Sequence, residues 1–113
     1  MTVSQITTHV LDAQRGVPAA GVAVELSRRE GEGWALVASG VTDADGRAKQ
    51  LGPERVPGGE YRLRFDTGAY FASSGTDTFY PEVLIGFAVA DDGRHYHVPL
   101  LLSPFAYSTY RGS

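Results

Sequence analysis

The chain of 113 residues carries ten Lys and Arg against thirteen Asp and Glu, a formal charge of −3, and contains no cysteine. This balance disfavours nucleic-acid binding, which needs clustered cations, and apart from Arg28-Arg29 the basic residues are scattered. The lack of cysteine excludes disulfides, thiolate catalysis and cysteine-ligated zinc. Length and a hydrophobic content of 42% predict a single domain over residues 1–113.

The N-terminal segment MTVSQITTHV has neither the basic nor the apolar region of a secretory signal. Elsewhere, no apolar run approaches the roughly 20 residues that a membrane helix needs. We therefore expect a cytoplasmic protein that has no membrane partner.

Alternation of apolar and polar residues dominates the first half of the chain, with turn residues about every ten positions, as in a β-sandwich or barrel. The first predicted strand is SQITTHVLD, and RGVPAAG ends it. VAVELSRRE and WALVASGVT are predicted to form a hairpin across GEG. DADGR is a predicted turn, because Asp side chains can bond their own backbone and Gly46 accepts positive φ. A short strand is expected at Ala48 to Leu51.

The second half of the chain begins with EYRLRFD, whose alternation predicts one buried and one solvated face. SSGTDTFYPE is the one helix candidate, with Ser73 or Ser74 as N-cap and Pro81 ending it. The remaining predicted strands are VLIGFAVA, HYHVPLLL and FAYSTYR. Seven or eight strands with one short helix favour an all-β, antiparallel Greek-key sandwich.

The last predicted strand, Phe105 to Arg111, is a candidate edge strand. It has neither the Lys nor the internal Pro that commonly protects a sheet edge. Pairing with another subunit is therefore expected, as a dimer or a dimer of dimers.

The three histidines, His9, His95 and His97, are the first candidates for chemistry. His95 and His97 are two residues apart on a predicted strand and share a face. Three imidazoles can bind zinc and leave a position for water, so a metal site is one interpretation. The other is that His9 is satisfied by a neighbour and that His95 is solvated at the DDGR turn.

Two arginines are further candidates. Arg47 follows the Asp-Gly turn, and Arg111 lies in a tail with Tyr107 and Tyr110. Each is explained as a solvated or packed residue, but aromatic rings beside a guanidinium also suit a planar anionic ligand. No phosphate-binding glycine loop and no GxSxG elbow occurs. The spacing alone thus supports a His and Arg pocket on a β-sandwich.

Several stretches together resemble the 5-hydroxyisourate hydrolases, the transthyretin-like enzymes of urate breakdown. They are THVLDAQRGVPAAGVAVEL, TDADGR, FYPEV and HYHVPLLLSPFAYSTYRGS. The resemblance spans nearly the whole chain, and the terminal YRGS is its most specific part. Phe105-Ala106 departs mildly from the family pattern, in which an aromatic residue is often followed by Gly.

The resemblance implies a prealbumin-like sandwich of two four-stranded sheets. It also implies a homotetramer, a dimer of dimers with active sites at the dimer-dimer interface. Transthyretin, a carrier of thyroid hormone, shares the pattern from Val10 to Ala19 but lacks the histidine at the position of His9 and the YRGS tail.

The resemblance also assigns the site residues. The family's catalytic residues fall on His9, Arg47, His97 and Ser113. Its substrate-binding residues fall on Tyr110, Arg111 and Gly112. The implied reaction is hydrolysis of 5-hydroxyisourate by histidine-activated water, with Arg47 on the anionic ring, and no cofactor or metal ion is expected. A hormone-type carrier, a zinc hydrolase and a purely structural sandwich are the alternatives.

Overall fold

Residues 3–112 are described by the structure, a computed structural model. The strands are β1 (Ile6–Asp12), β2 (Val17–Pro18), β3 (Ala23–Glu30), β4 (Gly33–Val41), β5 (Arg47–Ala48), β6 (Gly59–Phe65), β7 (Val83–Val89), β8 (Tyr96–Ser103) and β9 (Ala106–Thr109). One helix, α1, spans Thr67–Ala72. No helix in this part of the chain has the length and hydrophobicity that crossing a bilayer would require.

The strands form two sheets, as predicted. Sheet 1 has the order β2-β1-β8-β9, with β5 also pairing with β1, and sheet 2 has the order β4-β3-β6-β7. Sheet 1 has five strands rather than the expected four, and two of the five, β2 and β5, are only two residues long. One pairing differs from the expected antiparallel arrangement: β1 and β8 are parallel. The chain passes through sheet 2 between them, which supplies the long connection that parallel pairing requires.

The core lies between the sheets and follows the predicted alternation. In β1, Ile6 and Val10 point inward and are fully buried. In β6, Leu63 and Phe65 do the same from the other sheet, and the intervening arginine Arg64 lies on the opposite face. Removing these apolar surfaces from water supplies the main driving force for closing the two sheets on each other.

The helix lies earlier in the chain than SSGTDTFYPE, so the prediction for this segment was wrong. The Asp66 carboxylate accepts a hydrogen bond from the Ala69 N–H and caps the N-terminus of α1. The Ser73 and Ser74 hydroxyls instead donate to the carbonyls of Tyr70 and Phe71. The serines therefore satisfy the C-terminal end of a helix, which a short sequence pattern does not distinguish from an N-cap.

Strand β9 is an edge strand, as the sequence predicted. It pairs only with β8 on one side within the described chain, and all four of its residues are exposed. The regular strand ends at Thr109, before the expected end at Arg111, and the chain then continues along β8 to an isolated bridge between Gly112 and His97.

Candidate active site

The outer face of sheet 1 carries polar residues in the middle of two adjacent strands. In β1, Thr7 and His9 alternate with the buried residues Ile6, Thr8 and Val10 and therefore point away from the core. The parallel pairing of β1 with β8 sets Thr7 opposite His97. Two polar side chains 90 residues apart in the sequence thus become neighbours.

Strand β5 brings Arg47 to the same face, because it pairs with β1 in a register that sets Arg47 opposite His9. The preceding turn fixes this position. The Asp43 carboxylate accepts hydrogen bonds from the N–H groups of Asp45 and Arg47, and the bond from Arg47 is the main reason that the pKa of Asp43 is lowered. Gly46 has φ +76°, and a Cβ there would collide with the Val10 carbonyl oxygen.

A cavity of 360 Å³ opens on this face. Its lining residues are Val3, Thr7, Thr8, Arg47, Lys49, His95 and His97. Within residues 3–112, neither Arg47 nor Lys49 forms an ion pair. The cavity therefore combines two imidazoles with two cations that have no ion-pair partner among these residues, which favours an anionic ligand.

Thr7 hydrogen-bonds to two histidines at once. Its Oγ1 lies 2.8 Å from Nε2 of His95 and 2.7 Å from Nδ1 of His97. The two imidazole rings are nearly parallel, with centroids 6.2 Å apart and an angle of 22° between their planes. The shared face predicted for His95 and His97 is thus confirmed, and a threonine joins them.

The pKa of His97 is lowered from its usual value of 6.5. Burial is the largest cause, because it disfavours the charged imidazolium, and the positive charges of His95, Arg47 and His9 act in the same direction. At neutral pH, His97 is therefore a neutral imidazole that can accept a proton.

His9 lies beside this cavity rather than in its lining. Its Nε2 is 2.8 Å from the Asp45 carbonyl oxygen, and because a carbonyl only accepts, Nε2 carries the proton and donates. The turn that precedes β5 therefore holds the backbone of Arg47 and also the ring of His9.

The C-terminal tail reaches the site by its backbone. The Gly112 N–H donates to the His97 carbonyl at 2.9 Å, and a Cβ on Gly112 would lie 2.8 Å from Cδ2 of His97, so a glycine is required there. The Arg111 guanidinium stacks on the Tyr96 ring at 4.4 Å. Tyr110 and Arg111 line a separate cavity of 240 Å³ that also touches His97, and Ser113 lies outside the described residues.

The zinc interpretation finds no support in the arrangement of the histidines. Between residues 3 and 112, no group of three His, Cys, Asp or Glu residues could hold a metal ion. His95 and His97 are directed to a hydroxyl, and His9 to a backbone carbonyl.

Sequence reasoning missed two polar residues of this cavity, Thr7 and Lys49, and also the contact between Thr7 and His95. Alternation along a strand puts Thr7 on the same face as His9, but a threonine in a strand is too common to stand out. Nothing in the sequence indicated its histidine neighbours, because they depend on the pairing of β1 with β8.

Comparison with known proteins identifies the family of the chain. Residues 6–112 match the sequence profile of the HIUase/Transthyretin family. The chain belongs to this family. A 5-hydroxyisourate hydrolase from Caulobacter vibrioides is 50% identical over 115 residues, which cover 98% of this chain and 100% of the relative. A 5-hydroxyisourate hydrolase from Salmonella typhimurium is also 50% identical, over 96% of this chain and 80% of the relative.

Solved structures of both branches of the family share the fold. The 5-hydroxyisourate hydrolase from Klebsiella pneumoniae superposes with a TM-score of 0.84 at 42% identity, covering 96% of this chain and 98% of the other. Transthyretin from Sparus aurata superposes with a TM-score of 0.90 at 39% identity, covering 96% of each chain. The fold is therefore common to a hydrolase and a transthyretin, so the fold alone does not distinguish between the two.

Proposed function

We propose that the chain hydrolyses 5-hydroxyisourate to 2-oxo-4-hydroxy-4-carboxy-5-ureidoimidazoline, a step of urate degradation. The observation that carries this proposal is the juxtaposition of an unpaired guanidinium, Arg47, with a neutral imidazole, His97, in one cavity. The names of the curated relatives support the same reaction.

The reaction needs a base for water, a proton donor for the leaving nitrogen and a cation for the oxyanion. His9 and His97 orient a water molecule and remove its proton as the oxygen attacks a carbonyl carbon of the six-membered ring. The tetrahedral intermediate then collapses, the adjacent C–N bond breaks, and the nitrogen takes up the proton that the imidazole removed from water. This opens the ring and leaves a carboxylate.

Arg47 binds the anionic ring and stabilises the oxyanion, because a guanidinium offers two parallel donors to a planar anion. Its backbone N–H donates to the Asp43 carboxylate, which fixes the backbone position from which the side chain extends. Donors that are already in place need no reorganisation when charge develops, which is the basis of such stabilisation.

The tail completes the proposed site. Tyr110, Arg111 and Gly112 shape the pocket, and Ser113 couples to the histidines. The proposed assembly is a homotetramer of single-domain subunits in the cytoplasm, with active sites at the dimer-dimer interface. Two features support the assembly: β9 is an exposed edge strand, and the outer face of sheet 1 carries an open cavity.

The test is the decay of 5-hydroxyisourate, made in situ from urate by urate oxidase and followed by ultraviolet absorbance. We expect the protein to accelerate decay, with and without a chelator. Loss of acceleration on chelation would indicate a zinc hydrolase.

No acceleration by folded protein would overturn the proposal and favour a carrier. A sea bream transthyretin solved in complex with thyroxine has the same fold at 39% identity. The two cationic side chains and two imidazoles that line the sheet 1 cavity argue against that function, because ligand channels of this kind are mainly apolar.

A further inference from the structure

The Thr7 hydroxyl lies between two imidazoles, on the outer face of β1. It is 4% exposed, and its Oγ1 is within 2.8 Å of a ring nitrogen on each side, Nε2 of His95 and Nδ1 of His97. Its neighbour Thr8 points into the core, and that hydroxyl donates to the Val98 carbonyl, a purely structural contact. Two adjacent threonines thus have different partners, and only Thr7 contacts ionisable groups.

We propose that Thr7 is a positioning residue that holds His97 in the tautomer with a proton on Nδ1, with His95 as the final acceptor. In this arrangement Nδ1–H of His97 donates to the Thr7 oxygen, and the Thr7 hydroxyl donates to Nε2 of His95. The proposal rests on the proposed function, in which His97 receives a proton from water.

The count of protons limits the alternatives. A hydroxyl has one proton, so Thr7 can donate to only one of the two rings and must accept from the other if both contacts are hydrogen bonds. Donation to His97 would place the proton of its neutral ring on Nε2, and a protonated Nε2 cannot act as a base. Donation to His95 leaves Nε2 of His97 free, and no residue among 3–112 hydrogen-bonds to this nitrogen.

Fixing the tautomer matters because an unconstrained imidazole divides its population between two forms. A partner on one ring nitrogen selects the form in which the other nitrogen is free, and it also fixes the plane of the ring. Burial, together with the neighbouring guanidinium of Arg47, lowers the pKa of His97 and keeps its ring neutral without choosing the tautomer. Among residues 3–112, only the Thr7 contact distinguishes Nδ1 of His97 from Nε2.

The kinetic test compares three variants. Thr7→Val removes the hydroxyl and keeps the shape, Thr7→Ser keeps the hydroxyl, and Thr78→Val is the matched control. The Thr78 hydroxyl donates to the Pro104 carbonyl at 2.6 Å and contacts no residue of the site. We expect Thr7→Val to lower kcat at least about tenfold with little change in KM, as loss of an oriented base does. Thr7→Ser should restore most of kcat, and Thr78→Val should match the wild type.

Two kinetic outcomes would overturn the proposal. Wild-type kcat in Thr7→Val would show that the hydroxyl is not needed. Equal losses in Thr7→Val and Thr7→Ser would show that the threonine methyl group packs against the site and that the hydroxyl does not position the ring.

A second measurement does not depend on turnover. Nitrogen NMR chemical shifts of labelled histidine in the substrate-free protein at neutral pH report which ring nitrogen carries the proton. We expect Nδ1–H for His97 in the wild type and a mixture of tautomers in Thr7→Val. Nε2–H in the wild type would overturn the proposal. If the wild type shows Nδ1–H but hydrolyses no 5-hydroxyisourate, the proposed function fails and the positioning by Thr7 stands.

Discussion

The arginines on the outer faces of the two sheets differ in whether they have partners. On sheet 2, Arg64 contacts Glu82 at 2.6 Å and Glu25 at 3.5 Å, and the Arg62 guanidinium stacks on the Trp34 ring at 4.5 Å. On sheet 1, Arg47 lies in a cavity and has no ion pair with any residue of the described chain.

This difference separates a charge that is already compensated from one that is available to a ligand. Paired surface charges contribute little to stability and present little net charge to a solute. An unpaired guanidinium beside imidazoles lies in a region of positive potential that attracts anions. The comparison predicts that substitutions on sheet 1 alter catalysis and that matched substitutions on sheet 2 do not.

The largest expected effect comes from the tail beside the sheet 1 cavity. Deletion of residues 110–113 should abolish turnover, because the tail is proposed to shape the pocket and to couple to the histidines. The fold should persist, since Tyr110 is 59% exposed and none of the described tail residues belongs to the core. Circular dichroism and the 5-hydroxyisourate assay measure the two properties separately. Undiminished turnover would make the tail merely structural.

Arg47→Lys should have the next largest effect. Lysine keeps the charge but loses the two parallel donors. Transition-state stabilisation, calculated from the ratio of kcat/KM values, should therefore fall by about 2–4 kcal/mol. Arg64→Lys is the matched control on sheet 2, and its kcat/KM should equal that of the wild type. Near wild-type activity in Arg47→Lys would rule out the proposed role of the guanidinium.

The pH dependence of kcat/KM, which reports ionisations of the free enzyme, tests the low pKa of His97. Because the neutral ring is the base, activity should persist as the pH falls through 6.5 and decline only below the lowered pKa. His95→Gln removes one of the charges that lower this pKa, so its acid limb should lie at higher pH than that of the wild type. An unchanged limb would mean that another group controls the profile.

The same shift predicts a dependence of folding stability on pH. The pKa of His97 is lower in the folded protein than in the unfolded chain, so the unfolded state binds more protons between the two values. This contribution to stability is present above pH 6.5 and is lost as the pH falls through the folded pKa. Denaturant midpoints measured across this range check the direction.

The smallest effect is expected for the ion pairs of sheet 2. Glu82→Gln weakens the contact with Arg64, and the free energy of unfolding should change by less than about 1 kcal/mol because both side chains are solvated. Turnover should stay at the wild-type level. A large loss of activity would contradict the contrast between the two faces.

Much of the fold was predictable because apolar and polar residues alternate in a strand that has one buried face. This alternation indicates both the strand and the side that faces the core. The predicted strands around β1, β3, β4, β6, β7 and β8 are all present, within a residue or two at each end. The helix was not predictable from its caps, because Ser73 and Ser74 bond backward to carbonyls rather than forward to N–H groups. Which end of a helix a serine satisfies depends on the neighbouring backbone.

The sequence by itself determined which residues share a face: Thr7 with His9, and His95 with His97, by the period of two. It also indicated, through the resemblance, that Arg47 and the tail belong with these histidines. Only the tertiary structure decided that Thr7 lies opposite His97 and Arg47 opposite His9. The reason is physical: alternation fixes the face of each strand, whereas the partner and register of strands distant in sequence follow from closure of the whole sandwich.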